Sequence, residues 1–147
     1  MPMEPKEILS RARHIQWRMD RRQAELSRIR EMRSYIGAVS YDKVVVAHSA
    51  GRGPVEQMAT DARLDRLEQR IRQDLDELTK AKLEAIGLIG LLEDPRMQEV
   101  LWEYYIRGAK NWDEAAEHLY MGRRTALRLH GQALQLLRLA LNGTDNL

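Results

Sequence analysis

The sequence contains no cysteine among its 147 residues. This absence excludes a disulfide framework, a thiolate metal site and a cysteine nucleophile, and it is typical of proteins from a reducing cytosol. The chain also lacks the run of about 20 apolar residues that a membrane span requires, and its N-terminal segment lacks the apolar core of a signal peptide. We therefore expect a cytoplasmic protein without a membrane partner.

Residue patterns typical of catalytic and metal sites are missing as well. The four histidines show neither the His-x-x-x-His nor the His-Glu-x-x-His spacing of a metal site. Carboxylates such as Glu68, Asp74 and Glu84 lie along a predicted long helix with basic neighbours, which is typical of solvated ion pairs rather than of an acid and base pair in a cleft. The glycines near Pro54 lack the spacing of a phosphate-binding loop. The sequence predicts no enzyme, no metal and no cofactor.

The charge is small in total but unevenly distributed. Hydrophobic residues make up 44% and charged residues 31% of the chain, which suits one compact domain or two small helical modules. Residues 1–36 carry nine basic and five acidic residues, whereas residues 54–92 carry six basic and eight acidic residues. Segments of opposite net charge attract each other when they are neighbours. This asymmetry favours pairing between the two segments.

Both segments show the apolar period of a helix, with apolar side chains three or four residues apart. Arg22 and Arg33 interrupt the first stripe, and we interpret them as side chains that reach from its rim to solvent. The first stripe consists of Ile8, Ala12, Ile15, Met19, Leu26, Ile29 and Ile36. The second consists of Leu64, Leu67, Ile71, Leu78, Ala81, Ala85, Leu88 and Leu92, with Asp74 among them. Helices on the order of 50 Å long predict a coiled-coil-like antiparallel hairpin or an intermolecular bundle.

The segment between these helices is predicted to be a loop over residues 37–54. Its glycines, Pro54 and three consecutive valines oppose a helix. Such a loop lets the two helices pair within one chain or exchange between chains. We assign residues 1–92 to the helical hairpin with this loop, and residues 93–147 to a separate C-terminal domain.

The C-terminal segment contains start and stop signals for three helices. Asp94 and Pro95 suit the N-cap and the first position of a helix that Gly108 ends. Asn111 can cap a second helix, the residues 120–122 make a turn, and Arg123 begins a third helix. This spacing is typical of a helix-turn-helix. The predicted fold class is all-α, with a long antiparallel helical hairpin followed by a three-helix helix-turn-helix domain.

Basic residues at the start of the third helix are unexpected, because the helix dipole disfavours positive charge there. A recognition helix enters the major groove of double-stranded DNA through its N-terminal residues, where arginine contacts guanine and phosphate. Phosphate would neutralise these side chains. The alternative interpretation is a solvated basic face of an ordinary helical bundle. The candidate DNA-binding residues on the face opposite the apolar positions are Arg123, Arg124, Thr125 and Arg128.

Residues 112–138 resemble region four of bacterial sigma factors. Four further motifs are spread along the chain: Tyr41-Asp42-Lys43-Val44, Leu92-Glu93-Asp94-Pro95, Trp112-Asp113-Glu114-Ala115-Ala116 and Thr125-Ala126-Leu127-Arg128-Leu129-His130. With these motifs the chain resembles, over nearly its full length, the small regulators of phages and prophages, including the ArpU-like and RinA-like late activators.

The resemblance implies a transcription regulator that binds promoter DNA in the cytoplasm of a bacterial host. It implies that the helix beginning at Arg123 faces the groove and that His130 lies beyond it toward phosphate. RNA polymerase and a second copy of the chain, bound through the hairpin, are the candidate protein partners.

Two other functions remain open. A packaging protein that resembles a phage terminase small subunit also combines long helices with a helix-turn-helix, but such subunits typically carry that motif at the N-terminus. A helical adaptor that binds only protein would have no affinity for DNA.

Overall fold

The computed structural model describes residues 4–42 and 54–145, and this part of the chain is helical and contains no strand. The predicted all-α fold class is therefore confirmed. The long helices are α1 (Pro5–Asp42) and α2 (Pro54–Ile89), followed by α3 (Pro95–Leu101), α4 (Trp112–His118) and α5 (Arg123–Asp145). A π-helical turn, Trp102–Ile106, continues α3. None of the described helices is long and apolar enough to cross a membrane.

The predicted loop began too early. Residues 37–42 belong to α1, and Pro54 is the first residue of α2. A single glycine in a helix costs only about 1 kcal/mol relative to alanine, so Gly37 does not end a long helix by itself. Proline suits the first helical position because its missing N–H has no partner there. The remaining predicted loop residues, 43–53, lie outside the described residues.

The chain divides into two compact units, and α1 and α2 contribute to both. The hairpin unit comprises Trp17–Asp76, and the C-terminal unit comprises Met1–Gln16 with Glu77–Leu147. The domain boundary between residues 92 and 93 stays a prediction, since compactness does not by itself show independent folding.

Within the hairpin unit, α1 and α2 are antiparallel. Interhelical ion pairs join later residues of α1 to earlier residues of α2. These pairs are Arg33–Asp61 at 2.7 Å, Arg30–Glu68 at 2.6 Å and Arg22–Asp74 at 2.7 Å. The apolar residues between the helices are those that the stripes predicted: Leu26, Leu64 and Leu67, with Ile29 and Ile71 against them.

The residues that interrupt the two apolar stripes contact one another. Asp74 is only 1% exposed, and its carboxylate accepts hydrogen bonds from Arg18 Nε at 3.1 Å and Arg22 Nη1 at 2.7 Å. Arg33, the other arginine on the first stripe, pairs with Asp61. Arg22 and Arg33 therefore each pair with an acidic residue of α2. The sequence interpretation, in which both side chains reach solvent from the rim of the stripe, did not predict these partners.

The C-terminal unit has its own apolar core, built from the start of α1, the end of α2, and helices α3 and α5. The first turns of α1 and the end of α2 pack with α3 and α5, so residues that are distant in sequence form one cluster. The buried members of this cluster are Leu9, Ala85, Leu88, Ile89, Leu92, Met97, Val100, Leu101, Tyr105, Leu129, Ala133 and Leu137.

Helix α3 begins as predicted and ends in a widened turn. Asp94 caps it by accepting a hydrogen bond from Arg96 N–H at 2.9 Å, with Pro95 next in sequence. The N–H of Arg107 donates to the carbonyl of Trp102, five residues earlier, at 2.9 Å. Gly108 then adopts φ +76°, a left-handed conformation that glycine reaches without steric cost. The predicted stop at Gly108 is confirmed.

Candidate nucleic-acid interface

The start of α4 is fixed by reciprocal hydrogen bonds. Asn111 Oδ1 accepts from the N–H of Glu114 at 2.8 Å, and Glu114 Oε2 accepts from the N–H of Lys110 at 2.9 Å. This arrangement resembles a capping box, which satisfies N–H groups that have no partner inside the helix. Ala115 and Ala116 are buried, and their small side chains let α5 pack closely against α4.

A left-handed residue forms the turn between α4 and α5. Tyr120 has φ +55° and is 97% exposed. The N–H of Tyr120 donates to the carbonyl of Glu117 at 3.2 Å, and the N–H of Met121 donates to the carbonyl of Ala116 at 3.0 Å. These two bonds form a Schellman motif, which closes α4 and fixes the direction in which the chain enters α5.

Helix α5 has a buried face and an opposite basic face. Ala126, Leu129, Ala133 and Leu137 are buried. At about 100° per residue, the exposed residues 124, 128, 131 and 135 lie within about 60° of one another on the other side of the helix. We call these four residues the basic face: Arg124, Arg128, Gly131 and Gln135. Helix α5 has no acidic residue before Asp145, so no carboxylate of this helix neutralises the two arginines.

The remaining predicted residues at the start of α5 point elsewhere. Arg123 Nε lies 3.7 Å from Asp113 Oδ1, and both side chains are largely exposed. Asp113 therefore offsets part of the unfavourable charge at this helix end. Thr125 is half-buried beside the basic face. Of the five candidate residues, the structure brings only Arg124 and Arg128 onto one exposed face.

His130 packs against aromatic rings rather than lying on the basic face. Its Nε2 shares a hydrogen bond of 2.6 Å with the hydroxyl of Tyr105, and its ring centroid is 4.5 Å from that of Trp112. Burial, with a smaller contribution from Lys6, lowers the pKa of His130 to about 4. The imidazole is therefore neutral near pH 7 and supplies no positive charge for a phosphate.

An arginine of α1 completes this aromatic group. The guanidinium carbon of Arg13 lies 3.9 Å from the ring centroid of Tyr104, which stacks on Trp112 at 3.9 Å and 8°. Arg13 Nη1 also donates to the carbonyls of Tyr104 at 2.6 Å and Ala109 at 2.7 Å. Arg13 thus links α1 to the segment that precedes α4. Sequence reasoning missed Arg13, because its partners Tyr104 and Ala109 lie more than 90 positions away and leave no local pattern near residue 13.

A buried carboxylate contacts the last residue of α4. Glu103 is 5% exposed, and its Oε1 is 2.6 Å from Nδ1 of His118. This hydrogen bond raises the pKa of His118. The pair lines a cleft of about 590 Å³ whose apolar walls include Ile86, Trp102 and Tyr120. Sequence reasoning did not identify this pair, because Glu103 and His118 lie 15 residues apart on different helical segments.

Residues 4–42 and 54–145 contain no group of three or more histidine and acidic side chains that could hold a metal ion.

Comparison with known proteins adds no functional residue to this site. The resemblance to phage and prophage regulators stays a prediction drawn from the sequence motifs. No protein-family model, curated protein or solved structure matches this chain.

Proposed function

We propose that the protein is a DNA-binding transcription regulator in which α4, the turn and α5 form a helix-turn-helix. The observation that carries the proposal is the basic face, on which Arg124 and Arg128 lie one helical turn apart and away from the core. Arginine can donate two hydrogen bonds to guanine O6 and N7, and it can also pair with phosphate. A helix of this width fits the major groove of DNA.

The surroundings of the basic face support a DNA ligand. Helix α5 carries four arginines, and its single acidic residue is Asp145 near the other end. The opposite face is buried in the C-terminal unit, which would hold the helix rigidly during binding. Two arginines on one rigid face suit groove recognition better than the same charges on a mobile segment.

The motif resemblance extends this proposal to its biological setting. We propose a phage or prophage regulator of late-gene promoters that acts in the cytoplasm of a bacterial host. RNA polymerase and a second copy of the chain remain its candidate protein partners. His130 is not included in the proposed DNA contact, since its side chain is neutral and packed against aromatic rings.

The test is selection from a random-sequence DNA duplex pool, followed by affinity measurements across a salt series. The variant is Arg124→Ala with Arg128→Ala. A matched control is Arg66→Ala with Arg70→Ala, which removes the same charge from exposed positions with the same spacing on α2. We expect the wild type and the control to enrich one defined site. The variant should lose that enrichment and reduce the slope of log affinity against log salt by about 2.

Failure of the wild type to bind any duplex at low salt would contradict the proposal. The basic face would then be a solvated surface, and the adaptor interpretation would be favoured. The mass of the protein in solution distinguishes the regulator from a DNA-packaging subunit. A packaging subunit assembles as a ring of many copies, whereas a promoter-binding regulator requires one or two.

A further inference from the structure

Gly131 lies in the middle of the basic face without a structural requirement for glycine. A Cβ atom built at this position would meet no heavy atom within 4 Å beyond its chain neighbours and the adjacent backbone of α5. Its φ angle is not in the left-handed region that favours glycine, where Gly108 is found. Glycine inside a helix lowers stability relative to alanine. Neither packing nor backbone conformation within the described chain therefore explains this residue.

The neighbours of Gly131 suggest an explanation from outside the chain. It follows Arg128 by three residues and precedes Gln135 by four, so all three project from the same side of α5. A missing side chain commonly serves where a helix backbone approaches a ligand closely. The flanking arginine and glutamine are residue types that contact DNA bases and phosphates.

We propose that DNA contacts the basic face along its whole length, with the closest backbone approach at Gly131 and an additional contact from Gln135. This inference rests on the proposed function and extends its DNA site by two turns beyond the arginines. The side-chain amide of Gln135 is exposed and can form two hydrogen bonds with adenine N6 and N7. From Arg124 to Gln135 the helix rises about 16 Å, which corresponds to roughly five base-pair steps.

Gly131→Ala tests the close approach, because it separates stability from binding. The added methyl group should raise the melting temperature by roughly 3 °C through higher helix propensity. It should also lower the affinity for the selected DNA site at least about tenfold, because the methyl group keeps the helix from its closest position. The matched control is Gly87→Ala, an exposed glycine in α2 whose added Cβ also meets no atom within 4 Å. It should be stabilised similarly and bind DNA as the wild type does.

Gln135→Ala tests the additional contact. We expect weaker discrimination at one base pair, roughly three steps from the base pairs that Arg128 contacts. The salt dependence should be unchanged because no charge is removed. Selection from the random pool with each variant measures this directly.

The outcomes distinguish this inference from the proposed function. If the wild type binds no DNA, both are overturned. If the wild type binds and the arginine variant does not, but Gly131→Ala and Gln135→Ala bind with unchanged affinity and preference, only the extended site is overturned. Equal losses of affinity in Gly131→Ala and Gly87→Ala would also overturn it, since the effect would then come from the fold.

Discussion

Replacement of Arg13 with alanine should destabilise the C-terminal unit. The side chain is half-buried, donates two hydrogen bonds to main-chain carbonyls and covers one face of the Tyr104 ring. Hydrogen bonds from charged donors contribute about 1.5–3 kcal/mol each, and partial exposure places these two near or below the lower value. A cation–π contact adds about 0.5–1 kcal/mol. We therefore expect a loss of about 3 kcal/mol.

The assay is urea unfolding followed by tryptophan fluorescence, because Trp112 stacks on the ring that Arg13 covers. A loss of about 3 kcal/mol corresponds to a decrease in melting temperature of roughly 9 °C for a chain of this size. Arg13→Lys should lose an intermediate amount, since an ammonium group keeps the charge but not the planar contact with the ring. Arg11→Ala, at an exposed position of the same helix, is the control and should change stability by less than about 0.5 kcal/mol.

A loss below about 0.5 kcal/mol in Arg13→Ala would refute this reasoning. Water would then replace the guanidinium at both carbonyls without a net cost, and the stacked rings of Tyr104 and Trp112 would be stable without a cation above them. An equal loss in Arg11→Ala would also refute it, because the effect would then reflect helix charge rather than the specific contacts.

Two further predictions concern buried ionisable groups. Asp74→Ala should destabilise the hairpin unit by about 1–2 kcal/mol in urea unfolding, since two partly exposed arginines lose their shared partner. An unchanged midpoint would show that solvent compensates both arginines fully. The pKa of His130 is 6.5 in the unfolded chain and about 4 in the folded chain. Between these two pH values the unfolded chain binds a proton at His130 and the folded chain does not. Stability should therefore fall by about 2 kcal/mol between pH 7 and pH 4, after allowance for partial exposure, and His130→Gln should remove most of this fall. An identical pH profile in His130→Gln would contradict the assignment.

Local signals in the sequence predicted the parts of the fold that depend on local chemistry. Asp94 and Pro95 mark the start of α3, and Arg123 is the first residue of α5, as predicted. The apolar stripes identified the contact between the long helices. The extent of α1 over residues 37–42 was missed because glycine was weighed as a helix stop, whereas its cost is small against the length of the helix.

The missed features of the candidate site depend on contacts between distant residues. No local pattern indicates that Arg13 meets carbonyls more than 90 positions away, or that Glu103 is buried beside His118. The position of His130 was predictable in principle. Six residues after Arg124 correspond to about 600° of helix rotation, which places His130 about a third of a turn away from the arginines. The predicted position of His130 toward phosphate comes from the motif resemblance, without regard to this helix rotation.

The buried Asp74 fixes the alignment of the two long helices. Apolar stripes with a seven-residue repeat can slide past each other by one repeat and still bury similar side chains. Such a shift would place Asp74 opposite Ile29 instead of Arg22, and would leave a carboxylate buried against a hydrocarbon side chain. The misaligned pairing is disfavoured by charge rather than by shape. A single acidic residue thereby selects one register from several that the apolar repeat alone would permit.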